Sequence, residues 1–215
     1  MSDNKPLMAG KRGLIMGVAN ERSIAWGIAK AAADAGAALA FTFQGEALGK
    51  RVNPLAQSVD SNFVMECDVT NEASLDAVFA QLADKWGQLD FLVHAIGATD
   101  PSALRGKYVD TTRANFLRTL DISCFSFTDL ARRAVPLMPN GGSLLTLTYY
   151  GAERVMPNYN VMGVAKAALE ASVLYLAVDL GAGVTGEVHH VDCGYHVVGM
   201  KAVDAPDISV VVNQP

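Results

Sequence analysis

The chain has 215 residues and a mass of 22.7 kDa, which is large for one domain and small for two. Hydrophobic residues make up 51% of it and charged residues only 18%, which excludes a disordered chain and provides material for a buried core. Seventeen basic and 22 acidic residues give a net charge of −5, and no basic run is longer than a pair. A surface for nucleic acid or anionic membranes is therefore not indicated.

Cysteine spacing and apolar runs exclude further classes of protein. Cys67, Cys124 and Cys193 are far apart and odd in number, so neither a disulfide framework nor a metal site is expected. The N-terminus lacks the apolar stretch of a secretory signal. The longest uninterrupted apolar run, near 173–178, is much shorter than the roughly 20 residues of a membrane span. We expect a soluble cytoplasmic protein.

Apolar runs and amphipathic segments alternate along the chain. In order, the expected elements are strand Gly13–Val18, helix Ser23–Ala35 closed by Gly36, strand Ala37–Phe43, helix Glu46–Asp60, strand Phe63–Cys67, a helix from the cap Thr70 or Asn71 to Trp86, strand Leu89–Ile96, helix Thr112–Leu137, strand Gly142–Thr148, helix Tyr159–Leu180 and strand Val184–Val191. This alternation predicts an α/β fold with a doubly wound, Rossmann-like parallel sheet. We expect one domain over residues 1–215, with about 205–215 as a C-terminal tail.

The turn after the first strand predicts a phosphate site. In parallel sheets, ligands bind beyond the carboxyl ends of the strands. Gly17 leaves room for a pyrophosphate, and Ser23 offers a hydroxyl where a helix N-terminus provides unpaired N–H groups. The loop is longer than a GxGxxG turn, and taken alone it is equally well interpreted as a plain glycine turn.

The next strand ends are consistent with a dinucleotide. Gln44 ends the second strand where adenosine would lie, and the absence of an acidic residue there leaves NAD and NADP open. Asp68 ends the third strand, where it either accepts the adenine amino proton or caps the following helix. Small residues after the fourth strand, Ala95-Ile96-Gly97, leave room for a ribose.

A tyrosine and a lysine follow the fifth strand at a regular spacing. Tyr159 and Lys166 are seven residues apart, which on a helix is roughly 700° of rotation and about 10.5 Å of rise, so both point into one cleft. A nearby ammonium stabilises a phenolate and also binds ribose hydroxyls. A half-buried tyrosine and a solvated lysine are the alternative for an isolated pair, but the position after the fifth strand favours a catalytic site.

Several motifs together carry a family resemblance. They are Gly17-x5-Ser23-x-Ala25, Phe41-Thr-Phe-Gln44, Cys67-Asp68-Val69, His94-Ala-Ile-Gly97, Tyr149-x9-Tyr159-x6-Lys166 and Gly186-Glu-Val-His-His-Val-Asp192. Over nearly all of its length the chain resembles the bacterial NADH-dependent enoyl-acyl-carrier-protein reductases, a branch of the short-chain dehydrogenase/reductase superfamily. Most of that superfamily uses Tyr-x3-Lys, which this chain excludes because position 163 is glycine.

The resemblance implies an activity, a cofactor and roles for residues. It implies reduction of trans-2-enoyl thioesters on acyl carrier protein by NADH, the final reductive step of fatty-acid elongation, in a homotetramer. Tyr159 would stabilise the enolate oxygen, Lys166 would bind the nicotinamide ribose, and Tyr149 would position or protonate substrate. Thr99 falls where the family contacts substrate. The implied cofactor-binding residues are Gly17, Ser23, Ile24, Gln44, Asp68, Val69, Ile96, Gly97 and Lys166.

The chain departs from this family after Gly181. A segment that the family carries there, with the sixth parallel strand and the substrate lid, is absent. Three alternatives account for this: the complete protein has the segment and this sequence omits it, the segment is deleted and the last strand closes the sheet, or the chain is a degenerate relative without turnover.

Two other functions stay open. One is a short-chain reductase acting on a ketone or sugar, although Tyr-x6-Lys and the lack of serine at positions 146 and 148 argue against it. Thr148 keeps that alternative open because it also carries a hydroxyl. The other is a truncated dinucleotide-binding protein without turnover, which only the absent segment favours.

Overall fold

Five parallel strands form the central sheet of the computed structural model, which describes residues 5–180 and 186–191. The strands are β1 (Arg12–Met16), β2 (Ala38–Phe43), β3 (Val64–Glu66), β4 (Phe91–His94) and β5 (Ser143–Thr146). Their order is β3-β2-β1-β4-β5, with every neighbouring pair parallel. The chain therefore winds in one direction from β1 to β3 and in the other from β4 to β5, which confirms the doubly wound fold and places a switch point between β1 and β4.

Six α-helices cover the sheet within the described residues. They are α1 (Ile24–Asp34), α2 (Gly45–Gln57), α3 (Glu72–Trp86), α4 (Arg113–Leu120), α5 (Ser126–Ala134) and α6 (Asn160–Asp179). A π-helical turn, Asp121–Phe125, joins α4 to α5, and a 3-10 turn, Val135–Leu137, extends α5. The predicted helix Thr112–Leu137 is thus continuous but changes its winding in the middle. Further 3-10 turns span Pro101–Leu104, Tyr108–Asp110 and Tyr150–Ala152.

The end of α1 and the start of α3 have the residues that the sequence predicts there. Gly36 follows α1 with a φ of +93°, a left-handed conformation that favours glycine. Of the two candidate caps for α3, Asn71 is the N-cap, since its side chain accepts a hydrogen bond from the Ser74 N–H. Asp68 does not cap the helix, so that alternative is wrong.

The core lies in two layers, one on each face of the sheet. Because side chains alternate along a strand, Leu14 and Ile15 of β1 are both fully buried but face opposite layers. One layer packs against α3 and α5, and the other packs against α1 and α2. The central strands β1, β2 and β4 are therefore buried on both faces, as expected for parallel strands, whereas the edge strand β5 is only partly covered.

The predicted last strand, Val184–Val191, is wrong for the residues that are described. Residues 186–191 form no strand, Val191 is fully exposed, and Gly186 lies against Leu174 of α6. A strand needs a hydrogen-bonded neighbour, and within the described residues β5 is the edge of the sheet and pairs only with β4. The described residues thus do not show a sheet closed by the last strand. Residues 184–185 and the predicted tail 205–215 lie outside them.

Among the described residues, α6 alone is long and apolar enough to span a membrane, with a mean hydropathy of 1.6. In the sequence this helix contains no apolar run of membrane length, because Lys166 and Glu170 interrupt it. Val161, Ala165 and Leu169 on one side of α6 are fully buried in the fold. We therefore interpret α6 as a packed helix of the α/β domain.

Candidate functional site

A cavity of about 270 Å³ opens beyond the carboxyl ends of β4 and β5. Strand-end and loop residues form one wall, and the start of α6 forms the other. The lining residues are Ala95, Ile96, Gly97, Leu104, Leu147, Thr148, Tyr149, Tyr159, Met162 and Lys166. The position is the one at which parallel α/β sheets bind ligands.

Tyr159 and Lys166 both line this cavity, as their spacing predicts. Helix α6 begins at Asn160, so Tyr159 is its N-cap residue and Lys166 lies in its second turn. The Lys166 side chain is almost completely buried, and its Nζ donates a hydrogen bond to the Leu147 carbonyl at 2.8 Å. This bond links α6 to the end of β5 across the cavity.

The protonation states of this pair differ from the sequence expectation. Burial lowers the pKa of Lys166 to about 8, against the opposing effects of Cys124 and Glu170. Burial, and then the neighbouring Tyr149, raise the pKa of Tyr159 to about 12. The expectation that the lysine favours a phenolate is wrong for this arrangement, because burial and Tyr149 set the pKa of Tyr159 and both raise it. At neutral pH Tyr159 is therefore a neutral phenol that donates a hydrogen bond.

Tyr149 stands beside Tyr159 at the mouth of the cavity. The two ring centroids are 4.8 Å apart and the rings meet edge to face at 68°. Tyr149 is 43% exposed, whereas Tyr159 is partly buried. The outer tyrosine is thus placed to meet a ligand that enters from solvent.

The hydroxyl of Thr148 donates its hydrogen bond to Glu170 and not toward Tyr149 or Tyr159. Thr148 Oγ1 donates to Glu170 Oε1 at 2.5 Å, which connects the end of β5 to α6 one turn after Lys166. A hydroxyl has a single proton, so Thr148 cannot also donate to a substrate carbonyl in this arrangement. The Glu170 carboxylate was not among the predicted site residues, because an acidic residue on a long helix gave no signal of its own.

A buried histidine lies beneath the cavity and was also not among the predicted site residues. His94 ends β4, is fully buried, and has Nδ1 at 2.8 Å from Thr146 Oγ1 and Nε2 at 2.9 Å from Ser126 Oγ. Ser126 donates its proton to the Ile122 carbonyl, so it accepts from the Nε2–H, and Thr146 donates to Nδ1. Burial, with a smaller effect of Lys166, lowers the pKa of His94 to about 3. A polar residue in the apolar run LDFLVHAI was the available signal.

The π-helical turn provides one further polar group near the cavity. Ser123 is fully buried, and its hydroxyl bonds to the backbone of Ala98, accepting from N–H at 3.0 Å and donating to C=O at 3.2 Å. A side chain at Gly97 would lie 3.7 Å from both Ser123 Oγ and Lys166 Nζ. The π-helical turn therefore fixes the loop that follows β4.

The first strand-to-helix turn is shaped by close packing as well as by any ligand. Gly17 has a φ of +98°, and a Cβ there would lie 2.1 Å from the carbonyl oxygen of Ala95. Glycine is thus required by the approach of β1 to β4, a reason the sequence did not reveal. Ser23 Oγ donates to the Asn20 carbonyl at 2.6 Å and does not cap α1, while Ile24 is 68% exposed. The first N–H groups of α1 remain for a ligand.

The ends of β2 and β3 bring two predicted cofactor residues together. Gln44 hydrogen-bonds to the Asp68 carboxylate, which also accepts from the N–H and the hydroxyl of Thr70. These bonds, led by the Thr70 N–H, lower the pKa of Asp68. Val69 packs against the core beside them. An ionised carboxylate therefore marks this end of the sheet.

Thr99, the predicted substrate contact, does not line the cavity. Its hydroxyl lies 2.8 Å from Thr119 Oγ1 and accepts from the Asn115 side-chain amide at 3.1 Å, so it ties the loop to α4. Ile96 and Gly97, by contrast, line the cavity. The substrate contact expected of Thr99 stays a prediction.

Comparisons with known proteins agree with this arrangement. A family model described as enoyl-(acyl carrier protein) reductase matches residues 17–184. The chain is 53% identical to the enoyl-[acyl-carrier-protein] reductase [NADH] 1 of Rhizobium meliloti (strain 1021), over 98% of this chain and 99% of that protein. It is 49% identical to the corresponding FabI of Bacillus subtilis (strain 168), over 81% of this chain and 68% of that protein.

A solved structure is also similar. The reductase of Anaplasma phagocytophilum, crystallised in complex with NAD, has a TM-score of 0.87 and 46% identity, over 91% of this chain and 97% of that one. The comparison with the R. meliloti protein spans 269 positions, whereas 98% of 215 residues is about 211. The difference, 269 − 211, leaves about 58 positions of that relative without a counterpart in this chain.

Proposed function

Because this chain belongs to the enoyl-(acyl carrier protein) reductase family, we propose that it reduces the trans-2-enoyl thioester on acyl carrier protein with NADH. This is the final reductive step of the fatty-acid elongation cycle. The observation that carries the proposal is the placement of Tyr159, as a neutral phenol, in one cavity with Lys166. The relatives named above as NADH-dependent reductases support the same activity.

The carboxyl edge of the sheet fits a dinucleotide along its whole width. The uncapped start of α1 beside Gly17 suits the pyrophosphate, with Ser23 and Ile24 at its rim. Gln44, Asp68 and Val69 suit the adenosine, and Ile96, Gly97 and Lys166 suit the nicotinamide ribose. When bound, NADH supplies the hydride that reduces the β-carbon of the enoyl group.

Tyr159 carries the chemical step on the protein side. Hydride addition to the β-carbon places negative charge on the thioester oxygen, and a neutral phenol can donate a hydrogen bond to that oxygen. A raised pKa keeps the proton on Tyr159 until the charge develops. The partly buried ring also limits competition from water.

Two further residues assist the Tyr159 hydroxyl: Lys166 binds the cofactor, and Tyr149 contacts the substrate. The Lys166 ammonium holds one proton on Leu147 and has further protons for the ribose hydroxyls. Tyr149, exposed at the mouth, positions the thioester or donates a proton to the reduced substrate. For Thr99 to contact the substrate, its hydroxyl must leave its hydrogen bond to Thr119 on α4.

Reduction of a ketone or sugar is the less favoured activity. Such reductases of the superfamily use a hydroxyl that donates to the substrate carbonyl, and here Thr148 donates to Glu170 instead. A dinucleotide-binding protein without turnover is supported only by the positions of the relatives that have no counterpart here. Both alternatives predict cofactor binding, and both predict no turnover of enoyl thioesters.

We also propose a cytoplasmic homotetramer with a single domain over residues 1–215. Exposed apolar side chains on α4, on the π-helical turn after it and on α6 support an assembly through the face that they form. They are Leu117, Phe125, Leu174, Tyr175 and Val178. The acyl chain on its carrier protein would enter from solvent past Tyr149.

The test is NADH oxidation at 340 nm with a crotonyl thioester of acyl carrier protein. We expect turnover, a large loss for Tyr159→Phe and for Lys166→Ala, and no loss for Tyr108→Phe, an exposed tyrosine outside the cavity. Stabilisation by NADH without turnover would instead favour a binding protein. The intact mass separates the alternatives for the absent segment, because a mass near 22.7 kDa excludes a segment omitted from this sequence.

A further inference from the structure

The ring of Tyr159 rests directly on the backbone of a 3-10 turn. Gly151 lies in the turn Tyr150–Ala152, and a Cβ at this position would lie 2.3 Å from Cδ1 and 2.8 Å from Cε1 of Tyr159. Both distances are far below van der Waals contact, so any side chain at 151 would displace the ring. The same Cβ would lie 3.2 Å from Cδ1 of Tyr149.

A second glycine holds that turn against α6. A Cβ at Gly163 would lie 2.8 Å from the carbonyl oxygen of Gly151 and 3.5 Å from Cδ1 of Tyr159. Neither glycine has a positive φ, so their backbone conformations are open to alanine. The requirement for glycine at 151 and 163 is therefore one of space only, in contrast to Gly17.

We propose that Gly151 and Gly163 are positioning residues that fix the Tyr159 ring between their backbone and the ring of Tyr149. Gly163 allows the turn to lie on α6, and Gly151 allows the tyrosine ring to lie on the turn. With Tyr149 at 4.8 Å on another side, the ring has little freedom to move sideways. The inference rests on the proposed function, in which the Tyr159 hydroxyl is the donor to the substrate.

The same packing explains the position of the lysine. Tyr-x3-Lys would place the lysine at position 163, where its Cβ would clash with the Gly151 carbonyl. Position 166, seven residues after the tyrosine, lines the cavity. The contact of Gly163 with the turn is thus incompatible with the shorter spacing.

The experiment compares Gly151→Ala and Gly163→Ala with the matched control Gly27→Ala. Gly27 also lies in a helix with a negative φ, and a Cβ there would meet nothing within 4 Å. We expect kcat to fall roughly 10- to 100-fold in the two variants, since a misplaced group loses about that much. The Kd of NADH should stay within about twofold, because neither glycine contacts the predicted cofactor residues.

A double-mutant cycle separates positioning from general damage to the fold. In the Tyr159→Phe background the additional loss from Gly151→Ala should nearly vanish, because the glycine acts through the tyrosine hydroxyl. Equal losses in both backgrounds, or wild-type kcat in Gly151→Ala and Gly163→Ala, would overturn the proposal. So would variants that fail to fold, since that would show that the glycines serve stability.

A spectroscopic readout keeps this inference distinct from the proposed function. Alkaline titration of tyrosine absorbance at 295 nm, with Tyr159→Phe to identify the signal, should show a tyrosine that titrates near pH 12. In Gly151→Ala the displaced ring gains solvent and its titration should move to lower pH, whether or not the wild type turns over substrate. An unchanged titration would contradict the positioning role, whereas absent turnover in the wild type would contradict only the proposed function.

Discussion

The buried imidazole of His94 predicts a measurable loss of stability in mild acid. Its pKa is about 3 in the fold, against 6.5 for an unperturbed histidine, so the unfolded chain binds more protons between these values. Stability therefore falls as the pH decreases through 6.5 and continues to fall until about pH 3. Integrating this difference from pH 7 to pH 5 gives a loss of about 2 kcal/mol from this one side chain.

The assay is urea unfolding followed by tryptophan fluorescence at pH 7 and pH 5. The variant His94→Gln keeps polar atoms beside Thr146 and Ser126 but cannot titrate. We expect it to be less stable than the wild type at pH 7 and to lose about 2 kcal/mol less between the two pH values. Carboxylates with a lowered pKa, Asp68 and Asp129, contribute equally to both chains and cancel in the comparison.

Equal pH dependence in wild type and variant would refute this reasoning. The imidazole would then be charged in the fold or exposed to water, and its two hydrogen bonds would need to be reassigned. Proton NMR of the His94 ring gives an independent check, since its signals should show no titration between pH 7 and pH 5.

Two further predictions concern the cofactor end of the site. As the pH rises from 7 to 9, Lys166 loses its proton with a pKa of about 8. If only the ammonium form binds, the Kd of NADH measured by calorimetry should increase about tenfold over this range. The variant Lys166→Met should bind NADH weakly, with a Kd that does not change with pH. Gly17→Ala combines a positive φ with a clash against Ala95 and should lose about 2–4 kcal/mol of unfolding free energy, as well as NADH binding. The measurement is urea unfolding, with Gly27→Ala as the control. A free energy of unfolding for Gly17→Ala equal to that of the control and the wild type would contradict the prediction.

Local patterns in the sequence were sufficient to predict most of the strands and helices. Apolar runs located the five observed strands, since the central strands β1, β2 and β4 are buried by helices on both faces and tolerate few polar residues. The helical period was sufficient to place Tyr159 and Lys166 in one cavity, because both belong to a single rigid element. Predictions within one element thus depended only on the geometry of that element.

Features that depend on contacts between distant segments were not predictable in the same way. The requirement for Gly17 comes from Ala95, and the orientation of Thr99 comes from α4, neither of which is near in sequence. The raised pKa of Tyr159 follows from burial and from the neighbouring Tyr149, neither of which the spacing of Tyr159 and Lys166 reveals. The predicted last strand failed because its apolar pattern carries no information about whether a neighbouring strand exists.

The π-helical turn between α4 and α5 takes up one extra residue without turning α5 around its axis. Each residue rotates an α-helix by about 100°, whereas a π turn holds about 4.4 residues, so the five residues Asp121–Phe125 cover nearly the angle of four α-helical residues. In this phase Thr119 faces the loop after β4 while Ser126 reaches His94. Removing one residue from the turn would leave a plain α-helix with α5 in nearly its present orientation, whereas inserting a further residue would rotate every side chain of α5 by about 100°.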